Sequence, residues 1–215
     1  MTDYKAPLKD MRFALHQLSG LSEVLDLPAF ADIDDETVDQ VLEEASRFAR
    51  DVLAPLNVPG DLAGCRVENQ AVVVADGFET AYRQFVENGW QSLPATAEFG
   101  GMGLPEVVGA AAIEMWQSAN MAFSLCPLLT AGAIVALEAH GSDELKSRFL
   151  PQLISGETSG TMNLTEPQAG SDLAAVTTSA VPAGDHFLIS GTKIFITWGD
   201  HPMSENICLL YTSPS

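Results

Sequence analysis

Basic residues are scarce in this 215-residue chain, which has 10 lysines and arginines against 29 aspartates and glutamates, and a formal net charge of −19. Such a charge repels phosphate backbones and anionic lipid surfaces, so we expect no nucleic-acid partner and no adhesion to an acidic membrane. An anionic ligand would have to be held by local hydrogen-bond donors, because the overall field does not attract it.

Cysteine and histidine are also rare. The three cysteines, Cys65, Cys126 and Cys208, lie far apart without a CxxC pair, and the four histidines form no HExxH motif. The sequence therefore predicts no metal site, and the sparse thiols are typical of a reducing, cytoplasmic location. We expect Cys65 and Cys126 to be small buried side chains, and each histidine to have a structural role.

No apolar run is long enough to span a membrane. The most apolar window, residues 127–139, is shorter than a span and contains Glu138, so it predicts a buried helix in a protein without membrane insertion. Residues 1–10 carry charge but no apolar core segment, and we expect no secretory signal there.

Helical spacing of apolar residues dominates the first 155 or so positions. A helix is predicted from Val38 to Leu53, with Asp34 or Asp35 as its cap and Pro55 as its end, followed by a loop over residues 56–75. A second helix carries Phe78, Tyr82 and Phe85 on one face and ends at Asn88-Gly89. Three later helices are predicted to begin at Pro105, Pro127 and Ser142.

Past Gly156 the pattern changes to short runs rich in Thr, Val and Ile. Strands are predicted over 158–166, 174–181 and 186–197. We therefore expect an α+β chain: a helical domain at 1–156, with an N-terminal extension of about 1–33, and a partial β domain at 157–215. So few strands are too small a set to close a β domain, which indicates a truncated protein. Residues 208–215 are interpreted as a possible sequence artefact.

One stretch, MNLTEPQAGSDLA at 162–174, concentrates polar groups around a turn. It predicts either a plain loop in a β meander or a loop that binds a ligand. In the second case Thr165, Ser171, Thr197 and the backbone N–H groups of 169–171 would bind a polar ring edge, with Phe195 stacked on the ring. No paired carboxylates, catalytic triad or phosphate loop stands out, and GGMG at 100–103 is interpreted as a flexible helix connection.

Four segments resemble acyl-CoA dehydrogenases, in the order that the family has them. LTEPQAGSDLAA (164–175) resembles the family signature, and GTKIFIT (191–197) is similar to its second flavin-contacting strand. LPATAEFGGMG (93–103) is similar to the loop before the third helix, and FLPQLISGE (149–157) to the exit from the helical domain. Residues 4–18 and the phrase NLTEPQAGSDL are most similar to the branch that includes 3-methylmercaptopropionyl-CoA dehydrogenase.

The resemblance implies an N-terminal helical domain, a middle β-barrel or sandwich domain and a C-terminal helical bundle that is missing here, with FAD between the last two. Thr165 would bind the pyrimidine side of the flavin, Phe195 would replace a frequent Trp against the ring, and Thr197 would lie near N5. Glu166 and Asp172 are interpreted as local turn caps, whereas Asn163 and Trp198 depart from the family pattern. The resemblance assigns nine cofactor-binding residues: Met162, Asn163, Leu164, Thr165, Gly170, Ser171, Phe195, Ile196 and Thr197.

The activity that the resemblance implies is oxidation of an acyl-CoA thioester to the trans-2-enoyl-CoA, with Ser171 also contacting the acyl-CoA. The family's base is a glutamate of the C-terminal bundle, so no catalytic residue is assigned and the chain alone is expected to be inactive. Electron-transfer flavoprotein is the implied electron acceptor, and a homodimer or homotetramer the implied assembly. Two alternatives stay open: an acyl-CoA oxidase, and a non-catalytic flavin- or acyl-CoA-binding homologue.

Overall fold

The computed structural model describes residues 4–211, and the side chains up to residue 208. The helical part of the chain precedes residue 156. Two short π-helical turns, Ala14–Leu18 and Ala49–Leu53, continue the first and third helices. The α-helices are α1 (Leu8–Phe13), α2 (Leu21–Leu25), α3 (Asp35–Phe48), α4 (Ala54–Ala63), α5 (Phe78–Glu87), α6 (Glu106–Ala119), α7 (Met121–His140) and α8 (Asp143–Ser155).

The strands form three separate pairs. A small antiparallel hairpin of β1 (Arg66–Glu68) and β2 (Ala71–Val73) lies within the helical part. After α8, β3 (Thr158–Asn163) pairs in parallel with β6 (Asn206–Tyr211), with Thr158 opposite Asn206. The remaining pair is the antiparallel hairpin of β4 (Ser179–Ala183) and β5 (His186–Ser190). Helices followed by strands confirm the predicted α+β class.

Side-chain caps start two of the helices where the sequence predicts them. The Asp34 carboxylate accepts a 2.8 Å hydrogen bond from the Thr37 N–H, and the Ser142 hydroxyl accepts one of 3.3 Å from the Leu145 N–H. Each satisfies a backbone donor that a first helical turn leaves unpaired. α5 ends as predicted, with Gly89 in the left-handed region at φ 70°, where a side chain would be strained.

Two of the three proline-based boundaries were wrong, whereas Pro105 directly precedes α6 as predicted. The helix runs through the π-helical turn Ala49–Leu53 into α4, and the one backbone bond that Pro55 cannot make does not end it, so residues 54–63 are helical where a loop was predicted. The predicted loop also contains β1 and β2. Pro127 is inside α7, whose real start is capped by Asn120, the acceptor of a 3.0 Å bond from the Phe123 N–H. Packing of α7 on both neighbouring helices and on β3 outweighs the one backbone bond that Pro127 removes.

Aromatic side chains form the centre of the main core. Phe85 and Trp116 meet edge to face with ring centroids 5.1 Å apart, and Trp90 lies 5.4 Å from Trp116. Phe48 and Phe123 complete this group of rings and are almost fully buried. A second, smaller cluster packs α8 against α7 and includes the following residues: Ala95, Ala133, Ile134, Leu150, Leu153 and Ile154.

α7 passes between these two clusters. Its length and composition alone would let it cross a membrane, but Cys126, Thr130 and Ala133 on its inner face are fully buried in the fold. Glu138 accepts a hydrogen bond of 3.3 Å from the Thr96 N–H. Val135, in contrast, is 55% exposed. The helix is therefore a core element with one open face, and the predicted buried helix is correct for the inner face only.

The two cysteines that were predicted to be buried differ in exposure. Cys126 is buried in α7, as predicted, whereas Cys65 is exposed next to β1. The prediction for Cys65 was wrong because its neighbours form a hairpin at the edge of the molecule, where a small side chain has nothing to pack against.

β3 lies directly on α7, and Gly160 is the contact point. A β-carbon at Gly160 would be 2.6 Å from the Ala133 Cβ, and the Gly160 N–H donates to the Thr130 hydroxyl at 3.0 Å. Since no β-carbon fits in that space, the close approach of strand and helix requires glycine here.

We expect Gly160→Ala to destabilise the chain by about 1–3 kcal/mol, because overpacking at this contact forces β3 away from α7. Urea unfolding at neutral pH measures the change. Gly132→Ala, in α7 with nothing within 4 Å of an added β-carbon, is the matched control and should not destabilise. Equal stability of the Gly160→Ala protein and the wild type would contradict the contact.

Candidate functional site

The stretch singled out in the sequence follows the end of β3 and folds into a tight turn. Glu166 and Ala169 exchange two backbone hydrogen bonds, of 2.9 and 3.1 Å, across Pro167 and Gln168. The Ala169 N–H is therefore not available to a ligand, contrary to the prediction for 169–171. Asp172 accepts from the Ala174 N–H at 3.1 Å and caps a short 3₁₀ turn, which agrees with its predicted role.

Glu166 is far more than a local turn cap, so that prediction was wrong. Its side chain is buried, at 2% exposure. It accepts hydrogen bonds from the Thr177 N–H at 2.8 Å and the Thr178 N–H at 3.0 Å, and from both threonine hydroxyls. Gln168 is a further donor to it. The carboxylate thereby fixes a loop of more than ten residues.

Lys193 completes the set of donors around Glu166. Its ammonium group lies 2.9 Å from Glu166 Oε1 and donates to the Leu164 carbonyl at 2.8 Å. The hydrogen bonds from Thr178, then Thr177, and the ion pair with Lys193 hold the pKa of the Glu166 carboxyl well below its usual range. The group is therefore ionised at neutral pH, and it ties the stretch around 164–178 to the segment around 193.

That second segment, 191–197, was predicted as a strand and is not one. Residues 191–196 have no regular secondary structure. Phe195 has φ 56° and Trp198 φ 52°, and this left-handed backbone is incompatible with a β ladder. The segment is instead held by the Ile194 N–H, which donates to the Thr165 carbonyl at 3.0 Å, and by the Thr161 hydroxyl, which donates to the Thr197 carbonyl at 2.7 Å.

These contacts bring most of the predicted cofactor residues together. The residues from Met162 to Thr165 lie beside those from Phe195 to Thr197, joined by the hydrogen bonds just described. Phe195 is 89% exposed and Met162 50%, and Thr197 is exposed, whereas Asn163, Leu164, Thr165 and Ile196 are half-buried. Gly170 and Ser171 are exposed on the turn.

The unpaired groups at this junction suit a flavin. Asn163 Oδ1 is buried without a hydrogen-bond partner in the described part of the chain, and a flavin's pyrimidine edge offers the N–H that such an acceptor lacks. Thr165 and Thr197 supply hydroxyls from the two joined segments, and the exposed ring of Phe195 can stack on a ligand. An open face with donors, an acceptor and an aromatic plate therefore fits the FAD that the resemblance implies.

Trp198, treated in the sequence as a mere departure from the family pattern, anchors the segment to the helical part. Its indole N–H donates to the Ala122 carbonyl in α7 at 3.0 Å, and its ring stacks on Phe78 at 6.4 Å. An aromatic residue after Thr197 is the signal in the sequence, but its hydrogen-bond partner lies 76 residues away, Phe78 lies further still, and neither can be inferred from it.

His201 fills a second polar cluster near Trp198. Its Nδ1 accepts from the Met203 N–H at 3.2 Å, so Nε2 carries the proton and donates to the Ser159 hydroxyl at 3.0 Å. Cys126 Sγ lies 3.8 Å from the same nitrogen. Burial raises the pKa of the Cys126 thiol to about 12 and lowers the pKa of His201, so both are neutral. The cluster is structural, as predicted for this histidine.

Comparison with known proteins gives the site its context. A sequence profile described as "Acyl-CoA dehydrogenase, N-terminal domain" matches residues 35–157. The chain belongs to the acyl-CoA dehydrogenase family. It is 55% identical over 205 residues to 3-methylmercaptopropionyl-CoA dehydrogenase of Ruegeria pomeroyi, a match that covers 95% of this chain and 35% of that protein. The chain therefore spans about a third of the length of this curated relative.

Solved structures share the fold. The acyl-CoA dehydrogenase from Geobacillus kaustophilus, at 22% identity, matches 82% of this chain and 43% of its own with a TM-score of 0.67, which supports the fold. The FAD complex of PigA, at 25% identity, matches 76% of this chain and 40% of its own with a TM-score of 0.61. Family, fold class and FAD as the family's cofactor are thus confirmed.

We expect Glu166→Gln to lower the melting temperature by roughly 5 °C at pH 7, because the variant leaves Lys193 without its buried anion. The Glu166 pKa is depressed in the folded state. The ionised carboxylate therefore makes its full contribution to stability at pH values above the ordinary carboxyl pKa. That contribution is lost as the pH falls from there towards the lower pKa of the folded state. Thermal unfolding at pH 7 and at acidic pH should show the gap between variant and wild type narrowing with acidification.

Asp172→Asn is the matched control, since this exposed carboxylate bonds only within its own turn. If the difference in melting temperature between Glu166→Gln and the wild type stayed constant from pH 7 down to pH 3, that result would contradict the assigned ion pair.

Proposed function

We propose that this chain is the cofactor-binding part of an FAD-dependent acyl-CoA dehydrogenase that converts an acyl-CoA to its trans-2-enoyl-CoA. The observation that carries the proposal is the junction of 162–165 with 193–197, held by Glu166 and Lys193, at which the buried Asn163 Oδ1 has no partner in the described part of the chain. A substrate such as 3-methylmercaptopropionyl-CoA is supported by the 55% identity to the Ruegeria pomeroyi dehydrogenase.

Each residue at the junction has a proposed role. Asn163 Oδ1 and Thr165 would hold the pyrimidine side of the flavin, Phe195 would lie against its ring, and the Thr197 hydroxyl would lie near N5. Ser171 would contact both FAD and the acyl-CoA. When bound, FAD supplies the two-electron chemistry by accepting the substrate's β-hydrogen as hydride. The chain's own part is to orient the ring and to exclude water from it.

The proton-abstracting base is proposed to come from outside residues 4–211. The two carboxylates of the signature are both committed to other tasks: Glu166 is buried against Lys193, and Asp172 caps its turn. A base must reach the substrate α-proton with an unpaired oxygen, and both oxygens of Glu166 already accept hydrogen bonds. We therefore expect no dehydrogenation by the 215-residue chain alone. Electron-transfer flavoprotein as acceptor, a homo-oligomer and a cytoplasmic location belong to the same proposal.

Titration of the chain with FAD tests the cofactor site. Flavin fluorescence should be quenched on binding, and Asn163→Ala should weaken the affinity about tenfold, the effect of losing one buried hydrogen bond. Thr80→Ala, an exposed change on α5 remote from the junction, should leave the affinity unchanged. If circular dichroism showed a folded chain, and the protein was colourless once excess unbound FAD had been removed, the proposal would be refuted.

Turnover assays test the missing base. With an artificial electron acceptor and 3-methylmercaptopropionyl-CoA, the FAD-loaded chain should show no oxidation above the rate without protein. Measurable turnover would place a base within these residues and overturn this part of the proposal. Release of hydrogen peroxide with that turnover would identify an oxidase.

A further inference from the structure

Trp198 combines an unfavourable backbone conformation with a bulky side chain. Its φ of 52° lies in the left-handed region, where large side chains are rarely found. Among the described residues, the other non-glycine residues with a positive φ are Asn69, Gln70 and Phe195. Asn69 and Gln70 form the two-residue turn between β1 and β2, which suits this backbone. Phe195 and Trp198 lie outside any such turn, and they enclose residues 196–197.

Three parts of the fold hold the Trp198 side chain. Its indole N–H donates to the Ala122 carbonyl of α7 at 3.0 Å, and its ring stacks on Phe78 of α5. The ring also meets His201 edge to face, with centroids 5.4 Å apart, and His201 is hydrogen-bonded to Ser159 of β3. A strained backbone persists only where its surroundings determine it. At Trp198 these contacts are the surroundings that do so.

The backbone of Thr197 is fixed from a second direction by β3. Its carbonyl accepts a 2.7 Å hydrogen bond from the Thr161 hydroxyl, and the Gly199 N–H donates to the Ile196 carbonyl at 3.3 Å. The Thr197 side chain is exposed, so the direction of its hydroxyl follows from the backbone that carries it. With the carbonyl held at β3 and the next residue held at α7, the peptide between Thr197 and Trp198 has little freedom to rotate.

We propose that Trp198 is a positioning residue, whose anchor on α7 sets the direction in which Thr197 presents its hydroxyl to the flavin. The inference rests on the proposed function, because it needs a flavin whose N5 lies near Thr197. The indole of Trp198 faces the helical part of the chain, so it acts through the backbone that it shares with Thr197. The helical part thereby determines the hydrogen-bond geometry at the flavin.

The chemistry of the indole explains why tryptophan suits this position. Its ring supplies the area that packs on Phe78 and His201, and its N–H reaches the Ala122 carbonyl. Phenylalanine would keep a stacking ring but has no donor. Glycine would suit the left-handed backbone better than any other residue, but it has neither ring nor donor. Substitution of Trp198 by each of these two residues therefore separates the effect of the anchor from that of the backbone conformation.

Binding of FAD labelled with ¹⁵N at N5 tests the inference on the 215-residue chain, because the nuclear magnetic resonance signal of N5 responds to hydrogen bonding at that atom. Trp198→Phe should weaken the affinity for FAD about threefold to tenfold, the range expected for one impaired hydrogen bond. It should also move the N5 signal towards its position in the Thr197→Val variant. Trp198→Gly should have the same two effects, and it replaces the first variant if that one fails to fold.

A double-mutant cycle shows whether Trp198 acts through Thr197. In a Thr197→Val background, Trp198→Phe should weaken FAD binding by roughly twofold at most and should not move the N5 signal further. Trp90→Phe is the matched control, because it makes the same chemical change in the aromatic core, where Trp90 packs against Phe48 and Trp116. This control should leave both the affinity and the N5 signal as they are in the wild type.

The outcomes distinguish this inference from the proposed function. If the wild type binds FAD and Trp198→Phe leaves the N5 signal unchanged, the inference is overturned and the proposed function stands. The same holds if the losses of affinity in the cycle are additive, or if Trp90→Phe moves the N5 signal as far as Trp198→Phe does. A folded wild-type chain that binds no FAD refutes the proposed function and, with it, this inference.

Discussion

The ion pair between Glu166 and Lys193 is the interaction on which the candidate site depends. One carboxylate, surrounded by two backbone N–H groups, two hydroxyls, an amide and an ammonium group, joins segments that are far apart in the sequence. A buried anion with so many donors is tolerated because each lone pair has a partner. The glutamate of the signature thus holds the two segments of the candidate site together.

α7 connects that surface to the helical core. On one side it receives β3 at Gly160, where a backbone N–H meets the Thr130 hydroxyl, and near its start it accepts the Trp198 indole. On the other side its residues pack in the aromatic core. Strand, turn and helix are therefore packed as one unit, and a change at any contact of α7 alters the position of the others.

Local features of the fold were predictable from the sequence, and long-range ones were not. The caps at Asp34 and Ser142 follow from residue type and spacing, since a side-chain oxygen near a helix start has one favourable use. The helix boundaries predicted at Pro55 and Pro127 were wrong because the effect of a proline depends on its place in the turn and on the packing of the helix. The backbone of Phe195 and the partners of Glu166 depend on contacts with distant segments that one sequence does not reveal.

The distance along the chain between Glu166 and Lys193 has a consequence for biosynthesis. A polypeptide emerging from the ribosome contains Glu166 27 residues before it contains Lys193. The Glu166 carboxylate therefore has no cationic partner and stays hydrated until Lys193 has been synthesised. The candidate site cannot assemble during that interval, whereas the helical core is already complete in sequence. Under the proposed function, flavin then binds only at a late stage of synthesis or after release.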